Sequence, residues 1–179
     1  MAHMNSEAHA TRPAKLDDLN AMDRERFVGA LGWIFEHSPW VAERAWESRP
    51  FNGIEALHQA MVAKIAAASR EEQLALLRAH PDLGTRARVS DASRGEQAGA
   101  GLDRLTAEEF AQLSRWNAEY RERFGFPFLF AVKGSTKHDI LRALEARRTA
   151  TPEAEFAEAL RQVYRIARFR LESVLSGGK

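Results

Sequence analysis

Apolar residues in this chain recur at helical spacing almost from end to end, and that periodicity leaves room for little but an all-α fold. Phe27, Leu31, Ile34 and Phe35 mark one face of a first helix. Ser38-Pro39 reads as the next start, Ser as N-cap and Pro at the first helical position, with Trp40, Val41 and Ala45 facing inward. Ile54, Leu57, Met61 and Ile65 form a further stripe. Ser69 to Glu72 has the spacing of a capping box, and the helix it opens must stop near His80 because Pro81 follows. Thr106 to Glu109 is a second box, opening a longer helix that Gly125 ends. One apolar run breaks the pattern: Phe126-Pro127-Phe128-Leu129-Phe130-Ala131-Val132 is dense in aromatics, carries a proline, and predicts an extended, buried segment. A helix through Ile140 and Leu144 follows, and Thr151-Pro152 starts the last one. No pair of alternating runs is joined by a tight turn, so no sheet is predicted. The expectation is a single compact all-α domain of about seven or eight helices over residues 16–175. Residues 1–15 are expected to be a disordered tail with a cloning scar at Met1-Ala2-His3-Met4, and residues 176–179 a frayed end.

Composition narrows the functions such a domain can have. The net charge is +1, which gives no support to binding nucleic acid or a membrane surface. The absence of cysteine removes disulfides, thiol nucleophiles and thiolate metal sites, and a cytoplasmic location is the default expectation. No apolar run approaches the ~20 residues of a membrane span. The six histidines are isolated, with no His-Glu-x-x-His spacing, so no metal site is expected. Neither a glycine-rich phosphate loop nor a nucleophile elbow is present. What remains is proton transfer and hydrogen bonding by His, Glu, Gln and Arg.

Three segments do not read as ordinary helix-packing sequence. His80 precedes Pro81, which pins it in extended backbone at a helix end; there it either meets the last helical carbonyls or exchanges protons near neutrality. Ser93-Arg94-Gly95-Glu96-Gln97, continuing to Gly99 and Gly101, has capping-box spacing at Ser93 and Glu96. Its glycines are also costly in a helix, about 1 kcal/mol each, which suggests close approach to the backbone. In the last helix, Phe156, Leu160, Val163, Ala167, Arg170 and Val174 fall on one stripe. Arg170 therefore lies on the apolar face, either snorkelling or bound to an anion.

These segments together are similar to one family. His80-Pro81-Asp82-Leu83, Ser93-x-x-Glu96-Gln97 with Ala100-Gly101-Leu102, and Phe124 through Gly134 resemble the decarboxylases of 2-oxo-4-hydroxy-4-carboxy-5-ureidoimidazoline (OHCU), an intermediate between urate and allantoin. Phe35-Glu36-His37-Ser38-Pro39-Trp40-Val41 and Ile166-x-x-Phe169-Arg170-Leu171 extend the likeness over residues 16–175. The resemblance implies an all-helical homodimer without metal or organic cofactor. It implies His80, Glu96 and Arg170 as catalytic residues. It also implies substrate contacts from Pro81, from Ser93, Arg94, Gly95 and Gln97, and from the Phe128, Leu129, Phe130, Ala131 and Val132 run. Arg170 is expected to grip a substrate oxygen with its fork of donors. The competing expectation is a non-catalytic helical interaction module, which needs no closed pocket.

Overall fold

The computed structural model describes residues 15–84 and 90–175, and among these every regular element is a helix. In chain order they are α1 (Leu16–Ala21), α2 (Arg24–Leu31), α3 (Trp40–Ala45), α4 (Ile54–Ala66), α5 (Arg70–Arg78), α6 (Asp91–Gly99), α7 (Ala107–Phe124), α8 (Lys137–Arg147) and α9 (Pro152–Leu175). A single 3-10 turn at Trp46–Ser48 follows α3. The all-α expectation holds, and no strand occurs among the described residues. The helices outnumber the expected seven or eight because of α1, whose 6 residues are too short to show a 3.6-residue period. The expected tails lie outside the described residues, except Lys15 at the start of α1. No described helix is long and apolar enough to cross a membrane.

The start and stop signals act mostly through the side chains that the sequence singles out. Thr106 and Glu109 form the reciprocal box at α7, and Gly125 ends that helix in the left-handed region at φ 78°. Ser69 accepts from the Glu72 amide, but the Glu72 carboxylate reaches Arg44 instead of returning to the cap. Two expected caps are wrong. Ser38 does not cap α3; its hydroxyl donates to the Glu36 carbonyl at 2.9 Å inside a tight turn. Ser93 is not a cap either: Ser90 caps α6, accepting from the Ser93 amide at 3.1 Å, and Ser93 sits within the helix. The first stripe is also shorter as helix than its periodicity suggests. α2 ends at Leu31, and Ile34 and Phe35 are buried from the following turn.

α9 is the spine of the domain. Its 24 residues span about 36 Å, and it packs against α4, α5 and α7. Phe156, Val163, Ala167, Arg170 and Val174 are buried as the spacing predicts, whereas Leu160 is only partly buried and Ala159 takes the inner place. The Phe126–Val132 run passes through the core as backbone that joins no helix and no strand ladder. Phe124, Phe126 and Phe128 pack on Tyr120, and Phe126 also meets Phe156 edge-on.

Candidate active site

A cavity of about 490 Å3 opens where the end of α5, the inner face of α6, the 129–134 segment and the last turns of α9 converge. That volume suits a small organic molecule. His80, Pro81, Ser93, Gly95, Glu96, Gln97, Leu129, Phe130, Ala131, Val132 and Arg170 all line it, so the structure brings together eleven of the thirteen expected site residues. The other two fall elsewhere. Arg94 is exposed on the outer side of α6. Phe128 is fully buried in the aromatic core, edge-on to Tyr120. Lys133, Ile166 and Phe169, which belong to the motifs but carry no expected role, also line the cavity, as does Trp33, which reads in the sequence as ordinary packing.

Arg170 is held at the inner end of the cavity. Its Nε donates to Glu96 Oε1 at 2.7 Å and its Nη2 to Glu96 Oε2 at 3.1 Å, a bidentate pair. Nη2 also meets Glu36 Oε2 at 3.0 Å and the Ser93 hydroxyl at 3.2 Å, while Nη1 meets the Trp33 and Ile34 carbonyls, both at 3.3 Å. The anion expected on this buried arginine is therefore the protein's own pair of carboxylates. Each nitrogen of the guanidinium already meets a protein oxygen. Burial opposes its charge, but Glu96 and Glu36 hold it more firmly protonated than usual. Ser93 is likewise engaged, donating to Glu36 Oε2 at 2.9 Å.

His80 meets the helix end through one ring nitrogen and faces the cavity with its ring. Nδ1 donates to the Leu76 carbonyl of α5 at 2.9 Å, the behaviour of a helix-end histidine. Nε2 has no hydrogen-bond partner among the described residues, and the ring lines the cavity. The neighbouring backbone is clamped: Gly84 N–H donates to Gln97 Oε1 at 2.9 Å, and the Asn117 amide donates to the Leu83 carbonyl at 2.9 Å. Burial pushes the imidazole's pKa down from 6.5 to about 4, against the raising effects of the Leu76 carbonyl and the Glu36 charge. At neutral pH the ring is thus uncharged, with its lone pair on Nε2.

This shift has a consequence for stability. In the unfolded chain His80 takes up a proton below its ordinary 6.5, while in the fold it stays neutral to about 4. The unfolded state binds more protons in that window, so stability falls as pH drops through it, by about 3 kcal/mol in all. Chemical denaturation of wild type and His80→Asn between pH 7 and pH 4 checks this. The two curves should converge as the pH falls, and a constant gap would refute the neutral, buried histidine.

The extended run is pinned from behind. Arg147 donates to the Leu129 carbonyl at 2.7 Å and is ion-paired with buried Glu155, which also accepts from Tyr120. Gln162 Oε1 accepts from the Ala131 amide at 2.8 Å. Among the described residues the Phe130 and Val132 N–H groups and the Phe130 and Ala131 carbonyls have no partner. The Gln97 side-chain NH2 is likewise open. Such groups bind a urea-like solute well and are costly to bury unpaired.

The glycines of α6 leave room for a ligand. A Cβ at Gly95 or Gly99 would meet nothing within 4 Å, and both residues line the cavity. Gly95→Ala should therefore stabilise α6 by about 0.5–1 kcal/mol while raising KM, because the added methyl occupies ligand space. A melting curve and a substrate titration read the two effects; a stabilised variant with unchanged KM would remove Gly95 from the binding surface.

A helical fold enclosing a neutral imidazole, a carboxylate and open amide groups is equipped to move protons on a small polar substrate, the kit of a small-molecule enzyme. The chain belongs to the OHCU decarboxylase family, whose model matches residues 20–172. It is 50% identical over 156 residues to 2-oxo-4-hydroxy-4-carboxy-5-ureidoimidazoline decarboxylase of Haloferax volcanii, covering 87% of this chain and 93% of that one. It is 48% identical over 161 residues to the uric acid degradation bifunctional protein PucL of Bacillus subtilis, covering 90% of this chain but only 33% of that longer one. A crystal structure of (S)-allantoin synthase superposes with a TM-score of 0.75 at 36% identity, over 90% of this chain and 54% of the other. The fold is also that of OHCU decarboxylase crystallised in the presence of (S)-allantoin, at a TM-score of 0.68 and 24% identity over 87% of this chain and 99% of the other.

Proposed function

We propose that this protein decarboxylates OHCU to (S)-allantoin and CO2, acting as a cofactor-independent carboxy-lyase of urate degradation. The observation that carries the reading is His80, a buried neutral imidazole anchored through Nδ1 and open at Nε2, in a cavity it shares with Glu96. The substrate supplies its own electron sink. The bond from C4 to the carboxylate breaks, CO2 leaves, and the electron pair moves into the C4–C5 bond as the adjacent ring C=N nitrogen takes a proton from solvent. The resulting enol must lose its hydroxyl proton and gain one at C5. His80 starts neutral, so it accepts the hydroxyl proton at Nε2 and returns it to one face of C5, which fixes the product's hand. The site that lowers its proton affinity also makes its imidazolium a ready donor. Glu96, set by Arg170, accepts from the ring hydroxyl of the bound substrate and orients it until decarboxylation, when that proton passes to His80. Gln97 and the open backbone groups of Phe130, Ala131 and Val132 hold the ring and ureido amides.

A non-catalytic interaction module needs no closed pocket, and the cavity of about 490 Å3 favours the enzyme. The reading includes a homodimer in the cytoplasm, and sedimentation of the purified chain tests the dimer. The activity is tested by generating OHCU freshly from urate and following the circular dichroism of allantoin, with and without protein and with a chelator. Faster appearance of a single enantiomer, unaffected by the chelator, is expected. Racemic product at the spontaneous rate would sink the proposal.

A further inference from the structure

The mechanism above leaves one buried carboxylate unused. Glu36 lies in the turn between α2 and α3, with its side chain 1% exposed. Its Oε2 accepts from Arg170 Nη2 at 3.0 Å and from the Ser93 hydroxyl at 2.9 Å. Its Oε1 is buried without a hydrogen-bond partner among the described residues, and the His37 imidazole is 3.9 Å away. The backbone is bent to place it. His37, the next residue, holds a left-handed φ of 46°, a conformation that side-chain-bearing residues avoid, and Ser38 ties back onto the Glu36 carbonyl at 2.9 Å. Strain of this kind persists where the surroundings over-determine it, and here it aims a carboxylate at Arg170.

Glu36 does not line the cavity; it stands behind the residues that do. A fold needing only to neutralise Arg170 already has Glu96 for that purpose, and a second, more deeply buried carboxylate is costly to desolvate. The combined effect is a charge balance. Burial would raise the Glu36 pKa, but Ser90, the Arg170 charge and Ser93 hold it below the usual range, so it is ionised at neutral pH. Two carboxylates then face one guanidinium, and the cluster keeps one uncompensated negative charge at the inner end of the cavity.

We infer that Glu36 is a positioning residue for the reaction, which spends the charge of Arg170 so that the cavity stays net negative around Glu96 and repels the carboxylate that leaves as CO2. This rests on the decarboxylase reading. An anion losing its charge as CO2 is released from that repulsion on the way to the transition state, so the cluster raises kcat at the expense of substrate affinity. At an effective dielectric of ~20, one unit charge some 8–12 Å from an anion changes its binding on the order of tenfold.

The test compares wild type with Glu36→Gln and Glu36→Asp, each first shown to melt cooperatively. Removing the charge in Glu36→Gln should lower kcat for OHCU about tenfold while KM falls or holds. Local damage would instead raise KM. Glu36→Asp, which keeps the charge, should recover most of kcat. Binding without turnover gives the independent arm. Calorimetric titration with neutral (S)-allantoin and with anionic hydantoin-5-acetate should show Glu36→Gln favouring the anion by several-fold over wild type. Equal changes for both ligands, or a higher KM with unchanged kcat, would overturn the assignment. If wild type fails to turn over OHCU while the anion preference shifts as stated, the decarboxylase reading falls and the charge assignment stands. If Glu36→Gln does not fold, Glu36→Asp decides: its anion-to-neutral preference should match wild type, and a shift toward the anion would refute the role.

Discussion

His80→Asn is expected to cut allantoin formation by about 10²–10⁴-fold and to leave the residual product racemic, in a protein that still folds. Asn can keep the contact to the Leu76 carbonyl that Nδ1 makes, so the α5 end should survive. It offers no basic lone pair where Nε2 opens on the cavity, so the proton must reach C5 from solvent, on either face. His80→Ala should lose the same activity and also leave the Leu76 carbonyl without that partner. Stopped-flow circular dichroism on freshly made OHCU reads rate and chirality together. A variant retaining both would show that the proton comes from elsewhere, with Glu96 the next candidate.

Arg170→Ala should be the most destabilising single change in the site, by about 3–5 kcal/mol, because it strips the counter-charge from a buried carboxylate. Glu36 would then sit at 1% side-chain exposure with only the Ser90 and Ser93 hydroxyls to support its charge. The Trp33 and Ile34 carbonyls would lose a donor as well. Against a typical stability of about 5–15 kcal/mol, that loss is large enough to lower the melting temperature steeply. Arg170→Lys keeps the charge but has three donors on a single nitrogen, which cannot reproduce a bidentate grip on Glu96 and still reach Glu36. It should fold, with kcat reduced about 10²-fold by misplacement of Glu96. Near-normal turnover and melting of the lysine variant would show that charge alone suffices and that the fork geometry is idle.

Much of the fold was legible because it rests on local chemistry. The α7 box, the Gly125 terminator, the Thr151-Pro152 start and the inward face of α9 each follow from side chains within a few residues of one another. The failures were of a different kind. Ser38 and Ser93 have the right neighbours for caps, but each hydroxyl found a better use around the Glu36 turn. Ile34 and Phe35 continue a helical period yet are buried from non-helical backbone, because burial constrains where a side chain ends rather than the path that takes it there.

The sequence by itself determined the fold class, the extended run after Gly125, the place of His80 at a helix end, the inward turn of Arg170 and the family. These depend on periodicity, on proline and glycine stereochemistry, and on an ordered set of motifs. Only the tertiary structure decided what those residues do for one another. It engaged the Arg170 fork with two carboxylates, left Nε2 of His80 open, sent Phe128 into the core and Arg94 to the surface, and brought Glu36 to Arg170 from 134 residues away. The physical reason is that hydrogen bonds and burial are settled by proximity in space, and no local pattern records which distant carboxylate will share a buried guanidinium.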